Sequence, residues 1–158
     1  IITKISSLLN AESQGKTLKK HLNSTLEKIN IFASKHKSDP SIAFFMNPSA
    51  GSYNAAGAGT IADYLITVMG GRNIFGLDFK KYQKVNKEQI IQYNPDIILV
   101  ASHYPGQKTS EHFTSSKEFK SITAIENNNV IDITMSNLTM GPSFLDGIIS
   151  IIDRINID

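Results

Sequence analysis

The apolar positions of this chain fall into two rhythms, one helical and one of short continuous runs. Ile1 to Leu9 places Ile1, Ile5, Leu8 and Leu9 on one face, which predicts a helix already under way at the first residue. From Glu12 to about Lys37 the positions Leu18, Leu22, Leu26, Ile29 and Phe32 step by three and four, the spacing of a single apolar stripe. At about 1.5 Å per residue that helix would be about 35 Å long, and Asp39-Pro40 ends it, because a residue before proline avoids the helical region. Ser41 to Met46 is an apolar run after a turn signal and predicts a buried strand. Asn47 to Gly59, rich in Asn, Pro, Ser, Gly and Ala, predicts a loop.

Beyond that loop, Thr60 caps a predicted helix to Met69, stopped by Gly70-Gly71. Asn86 and Gln89 form a capping-box pair before Ile90 and Ile91, and Asn94-Pro95 closes that helix. Asp96 to Ala101 predicts a second strand. Ser102 to Ser116 is polar loop with room for one helix, Lys117 to Ile125 is irregular or helical, and Asn127 to Asn129 is a turn. Val130 to Ile133 is a third strand, and Pro142 opens a last helix reaching Ile155. Strands alternating with helices predict an α/β three-layer sandwich with a short, largely parallel sheet, preceded by the long helix. The plausible junction is at Asp39-Pro40, giving residues 1–38 and 39–158 as the two parts.

Composition narrows the chemistry. The chain has 158 residues, 41% hydrophobic and 19% charged, which is globular and of single-domain size. It has no cysteine, so disulfides, thiolate metal sites and cysteine nucleophiles are excluded. The net charge of +2 is too small to argue for nucleic acid. Residues 1–38 carry seven Lys against Glu12 and Glu27, with no interleaved aromatics, and read as the solvated face of a helix, His21 and His36 included. No Ser/His/Asp arrangement, HExxH, P-loop or spaced carboxylate pair is present, so the chain is not expected to be an enzyme. It opens on Ile1 and reads as a piece of a longer protein.

Three stretches carry a family resemblance: Val68–Phe75 (VMGGRNIF), Tyr82–Val100 (YQKVNKEQIIQYNPDIILV) and Val130–Ile148 (VIDITMSNLTMGPSFLDGI). A small-residue loop, a Gly-Gly-x-Asn helix end, a capped helix with Glu in its first turn, an Asn-Pro-Asp before a strand and a Gly-Pro opening the last helix occur in order. The chain resembles the C-terminal lobe of the substrate-binding proteins that feed ABC importers of iron–siderophores, haem and cobalamin. That resemblance implies one lobe of a two-lobe binding protein, with residues 1–38 as the end of the interlobe connecting helix and 39–158 as the C-terminal lobe. It implies capture of a metal chelate as transported ligand with no intrinsic cofactor. The location it implies is extracytoplasmic, in a periplasm or as a cell-surface lipoprotein, and the partners are the other lobe and a permease.

The residues near the strand ends are the ligand candidates: Ser52, Tyr53, His103, Tyr104, Met135 and Met140. Ligands of open α/β sheets gather at the carboxyl ends of strands. Tyr phenolate and His imidazole ligate metals and stack on flat macrocycles, so Tyr104 and His103 are the metal candidates. Met46, Met135 and Met140 flank strand ends, with core packing as their alternative role, and His112 reads as surface. The resemblance assigns Glu88, in Val85-Asn86-Lys87-Glu88, to docking on a permease arginine; opening a helix, it is expected on the outer surface of the lobe, away from the loops after the strands. The family often has Arg after the Gly-Pro, where this chain has Ser143. A second reading is a cytosolic nucleotide-dependent enzyme using Gly57-x-Gly59-x-x-Ala62. It is weak, because the predicted strand ends near Met46, ten residues before Gly57. Self-association through residues 1–38 or the cleft is expected where apolar surface is left open.

Overall fold

The computed structural model describes residues 1–35, 39–49, 51–104, 106–139 and 141–156. The apolar start of the chain forms α1 (Ile2–Leu8) and α2 (Glu12–Lys35). The two predicted helical stretches form as separate helices within the described residues 1–35, parted by Leu9 to Ala11 with Asn10 left-handed at φ 50°. The two pack at Gly15, where an added Cβ would lie 2.4 Å from Ser6 Oγ. Of the predicted stripe on α2, Ile29 reaches the core and Leu18, Leu22 and Phe32 are half-buried, while Leu26 stays 41% exposed. His36 lies outside the described residues. Among the described residues no helix is long and apolar enough to cross a membrane.

Strand β1 (Ser41–Ser49) does not stop at Met46. It runs through a bulge containing Pro48 and turns at Gly51 (φ 74°) into β2 (Ser52–Ala56). The segment expected to be a loop is therefore an antiparallel hairpin. Its polar and small residues misled the reading because Pro48 sits at the bulge, where no ladder donor is needed, and because Tyr53 and Ala55 alternate inward. After β2 come α3 (Ile61–Val68), β3 (Arg72–Asn73), β4 (Tyr82–Val85), α4 (Lys87–Tyr93), β5 (Ile97–Ser102), α5 (Glu111–Thr114), α6 (Thr123–Glu126), β6 (Val130–Thr134) and α7 (Pro142–Ile152). The sheet order is β4-β2-β1-β5-β6, with β3 beside the start of β1. β1 pairs in parallel with β5 and β3, and β5 with β6, so only β2 runs against the rest.

The pleat sends alternate side chains to two cores. Ile42, Phe44, Ile97, Leu99, Ile131 and Ile133 face α2, α3 and α7. Ala43, Phe45, Ile98, Val100, Tyr53 and Val85 face the layer of α4, α5 and α6. This is the expected three-layer sandwich with a largely parallel sheet. Two of the quoted motifs have structural roles. The Asn73 amide donates to Ala56 O (3.0 Å) and to Asp63 Oδ1 (2.9 Å), fastening β3 to β2 and α3. Asp96 Oδ2 accepts from Ser41 N (2.8 Å) and Ser41 Oγ (2.6 Å), locking the entry of β1 to that of β5.

Candidate ligand rim and docking residue

Strand direction decides which residues share an edge. β1, β5 and β6 end together, since Met46 pairs with Ala101 and Ser102 with Thr134. β2 begins at that edge, where Ser52 faces Ser49, and β4 ends there, where Val85 faces Tyr53. Ser52, His103, Tyr104 and Met135 therefore all lie at one rim, the carboxyl end of the parallel strands. Met140 lies outside the described residues.

Tyr53 was expected on a loop at this rim. The structure corrects its setting: its ring is 7% exposed and packs edge-on to Phe45 (centroids 6.1 Å apart) and Phe119 (5.5 Å), within the aromatic core that includes Phe113. Burial, then the Glu118 carboxylate, push the Tyr53 phenol up, with Lys87 opposing them. His103 is exposed and Tyr104 is 74% exposed. Their turn is tied back by Ser102 Oγ, which donates to Tyr104 O at 2.9 Å. Met135 and Met46 are half-buried against the α2–α3–α7 core, which combines the packing role with a place at the rim.

Sequence reasoning missed Asp132, which anchors the far end of the 103–110 segment. Its Oδ1 accepts from Thr109 Oγ1 (3.0 Å) and Ser110 N (2.8 Å), and its Oδ2 from Ser110 Oγ (2.5 Å). The available signal was one acid inside the apolar strand VIDIT, pointing away from Ile131 and Ile133. Arg154 Nη1 donates to the outer carbonyl of Asp132 (2.9 Å) and covers this edge strand.

Glu88 is exposed in the first turn of α4, behind the full capping box of Asn86 and Gln89. The expectation that it lies away from the loops after the strands is corrected. α4 follows the carboxyl end of β4, so Glu88 lies at the same edge of the sheet as the ligand candidates. Its neighbour Lys87 is hydrogen-bonded to Glu118, which raises the Lys87 ammonium above its ordinary pKa. His112 is exposed. His21 is exposed but not merely solvated: its Nε2 lies 2.7 Å from Asp146 Oδ1, linking α2 to α7.

The glycine loop has a strand directly before it, β2, not one ten residues away. It is nevertheless occupied by its own chain. Gly57 N donates to Lys81 O (2.8 Å), and a Cβ at Gly57 would meet Phe79 O at 2.3 Å. At the start of α3, Thr60 Oγ1 accepts from Asp63 N (3.0 Å) and Asp63 Oδ2 accepts from Gly59 N (3.0 Å). Gly59 N thus already faces a carboxylate and Asp63 N a hydroxyl, and that carboxylate opposes a pyrophosphate. Among the described residues no three His, Asp or Glu side chains converge as a metal cluster.

An open, largely parallel sheet with an exposed His103-Tyr104 turn at the carboxyl edge of its strands offers a place for a ligand. The chain belongs to the periplasmic binding protein family, whose model matches residues 1–136. Among its relatives is the High-affinity heme uptake system protein IsdE of Staphylococcus aureus (strain MRSA252), 33% identical over 138 residues, covering 84% of this chain and 46% of the relative. The chain thus spans about half the length of the curated relatives it matches. The solved structure of S. aureus IsdE complexed with heme is 28% identical with a TM-score of 0.64, over 96% of this chain and 61% of that one. The fold is shared with a possible iron-binding (periplasmic solute-binding) protein from Staphylococcus epidermidis (24% identity, TM-score 0.71, 97% of this chain and 59% of that one). It is shared equally with the periplasmic heme binding protein HutB of Vibrio cholerae (20%, 0.70, 95% and 59%). These relatives are named for uptake and binding rather than catalysis, and nothing supports the nucleotide-dependent alternative.

Proposed function

We infer that this chain is the C-terminal lobe of an extracytoplasmic substrate-binding protein that captures a metal chelate, haem foremost, and delivers it to an ABC importer. The carrying observation is the exposed His103-Tyr104 turn at the carboxyl edge of the parallel strands, in a chain related to a heme uptake protein. An imidazole, a phenol and the Met135 thioether together suit a flat conjugated metal complex: aromatic rings stack on its face, and His or Tyr ligates its metal. Residues 1–38 connect the lobe to the rest of the protein, with α2 lying against α7. A helical connection permits only small closure. Glu88, exposed at the same edge, meets a permease arginine when the loaded protein docks.

The test uses the full-length protein. Titration with haem followed by visible absorption is expected to saturate with a shifted Soret band. His103→Ala or Tyr104→Ala is expected to weaken binding at least about tenfold, which is about 1.4 kcal/mol. Unchanged affinity and spectrum in both variants would sink the assignment of this rim. NAD is expected to leave the protein unaffected.

A further inference from the structure

We propose that Glu118 keeps the docking surface negative by holding Lys87, and so acts as a positioning residue for Glu88. The proposal rests on the reading of Glu88 as the permease-docking acid. The Glu88 carboxylate makes no hydrogen bond or ion pair among the described residues, so it is open to an incoming cation. The residue beside it in the same helical turn is a cation, Lys87, whose charge acts on Glu88 and would repel an approaching guanidinium. Lys87 is instead drawn to Glu118, 31 residues further on, at the start of the 3-10 turn Lys117–Phe119.

Two features hold Glu118 in place. Ser116 Oγ accepts from Glu118 N (3.4 Å), and Phe119 next to it is fully buried against Tyr53 and Phe113. The acid is thus carried on a turn fixed to the same aromatic core as the start of β2. In water an exposed pair of this kind adds little stability. Its effect is on charge: Glu88, Lys87 and Glu118 sum to −1 at the docking corner, Glu118→Gln brings the sum to zero, and Lys87→Met brings it to −2. The double variant returns to −1. Charges at a contact act mainly on association rate and are screened by salt.

The experiment measures binding of the full-length protein to the importer's permease–ATPase complex in nanodiscs, without cargo, at low and high salt. Glu118→Gln is expected to slow association about two- to fivefold at low salt and little at high salt. Adding Lys87→Met to Glu118→Gln is expected to restore the wild-type rate, and Lys87→Met alone to match or exceed it. A double variant as slow as Glu118→Gln would mean that Glu118 itself contacts the permease, and would overturn the proposal. So would slowing by Lys87→Met alone, which would mean that the bridge matters for rigidity, or a Glu118→Gln rate equal to wild type. Glu88→Gln in the same assay separates the two claims: if it binds as wild type, or if the wild type does not bind, the docking assignment fails and this proposal with it.

Discussion

Replacing Asp132 by Ala tests how the ligand rim is held. The carboxylate takes three hydrogen bonds, from Thr109 Oγ1, Ser110 N and Ser110 Oγ, and these end the segment that carries His103 and Tyr104. Hydrogen bonds to a charged group are worth about 1.5–3 kcal/mol each, but bonds that share one half-buried carboxylate do not add. Thr109 is 4% exposed, so its hydroxyl would be stranded rather than hydrated. The expected loss is about 2–4 kcal/mol for Asp132→Ala. Asp132→Asn keeps one oxygen for Thr109 Oγ1 and Ser110 N, and about 1 kcal/mol is expected. Urea unfolding followed by far-UV circular dichroism reads both values, and faster amide exchange at Thr109 and Ser110 locates the damage. A loss below about 0.5 kcal/mol for Asp132→Ala, within the range of ordinary surface substitutions, would refute the anchoring role.

Three further outcomes follow from the same structure. Gly57→Ala forces a Cβ to 2.3 Å from Phe79 O and should cost about 1–3 kcal/mol in thermal or urea unfolding; a neutral result would contradict the close backbone contact at 79–81. The Tyr82 hydroxyl is buried without a geometric hydrogen-bond partner among the described residues, so Tyr82→Phe should be neutral or stabilising by up to about 1 kcal/mol. Burial pushes that phenol up, with a weaker opposing pull from the Thr60 hydroxyl, so the fold favours its neutral form and the protein loses stability as pH rises from about 10 through the folded value; Tyr82→Phe should shrink this alkaline loss in pH-dependent melts. Ile1, Ile5, Leu8 and Leu9 are 97%, 50%, 83% and 70% exposed, so this chain should self-associate at high concentration, and Ile5→Lys with Leu8→Lys should abolish it; a wild-type chain that stays monomeric by light scattering would count against this.

Much of the framework was legible because it is set by local chemistry. The capping box at Asn86 and Gln89, the Thr60 cap and the apolar runs of β1, β5 and β6 are each decided within a few residues, and each formed as expected. The order of motifs likewise identified the family. What the sequence concealed depends on partners distant in the chain. β2 and β4 are short and carry polar residues, and they become strands only because each finds the other and β1 along a ladder. Pairing supplies what their own propensity lacks. The reversal at Gly51 then turns Tyr53 into the aromatic core and brings the end of β4, with Glu88 after it, to the same edge as His103. Asp132 with Ser110 and Lys87 with Glu118 are 22 and 31 residues apart, and no periodicity links such positions. Sequence by itself determined which elements exist and what kind of protein they make. Only the tertiary structure decided which side chains share an edge, because strand direction and pairing, not spacing along the chain, bring them together.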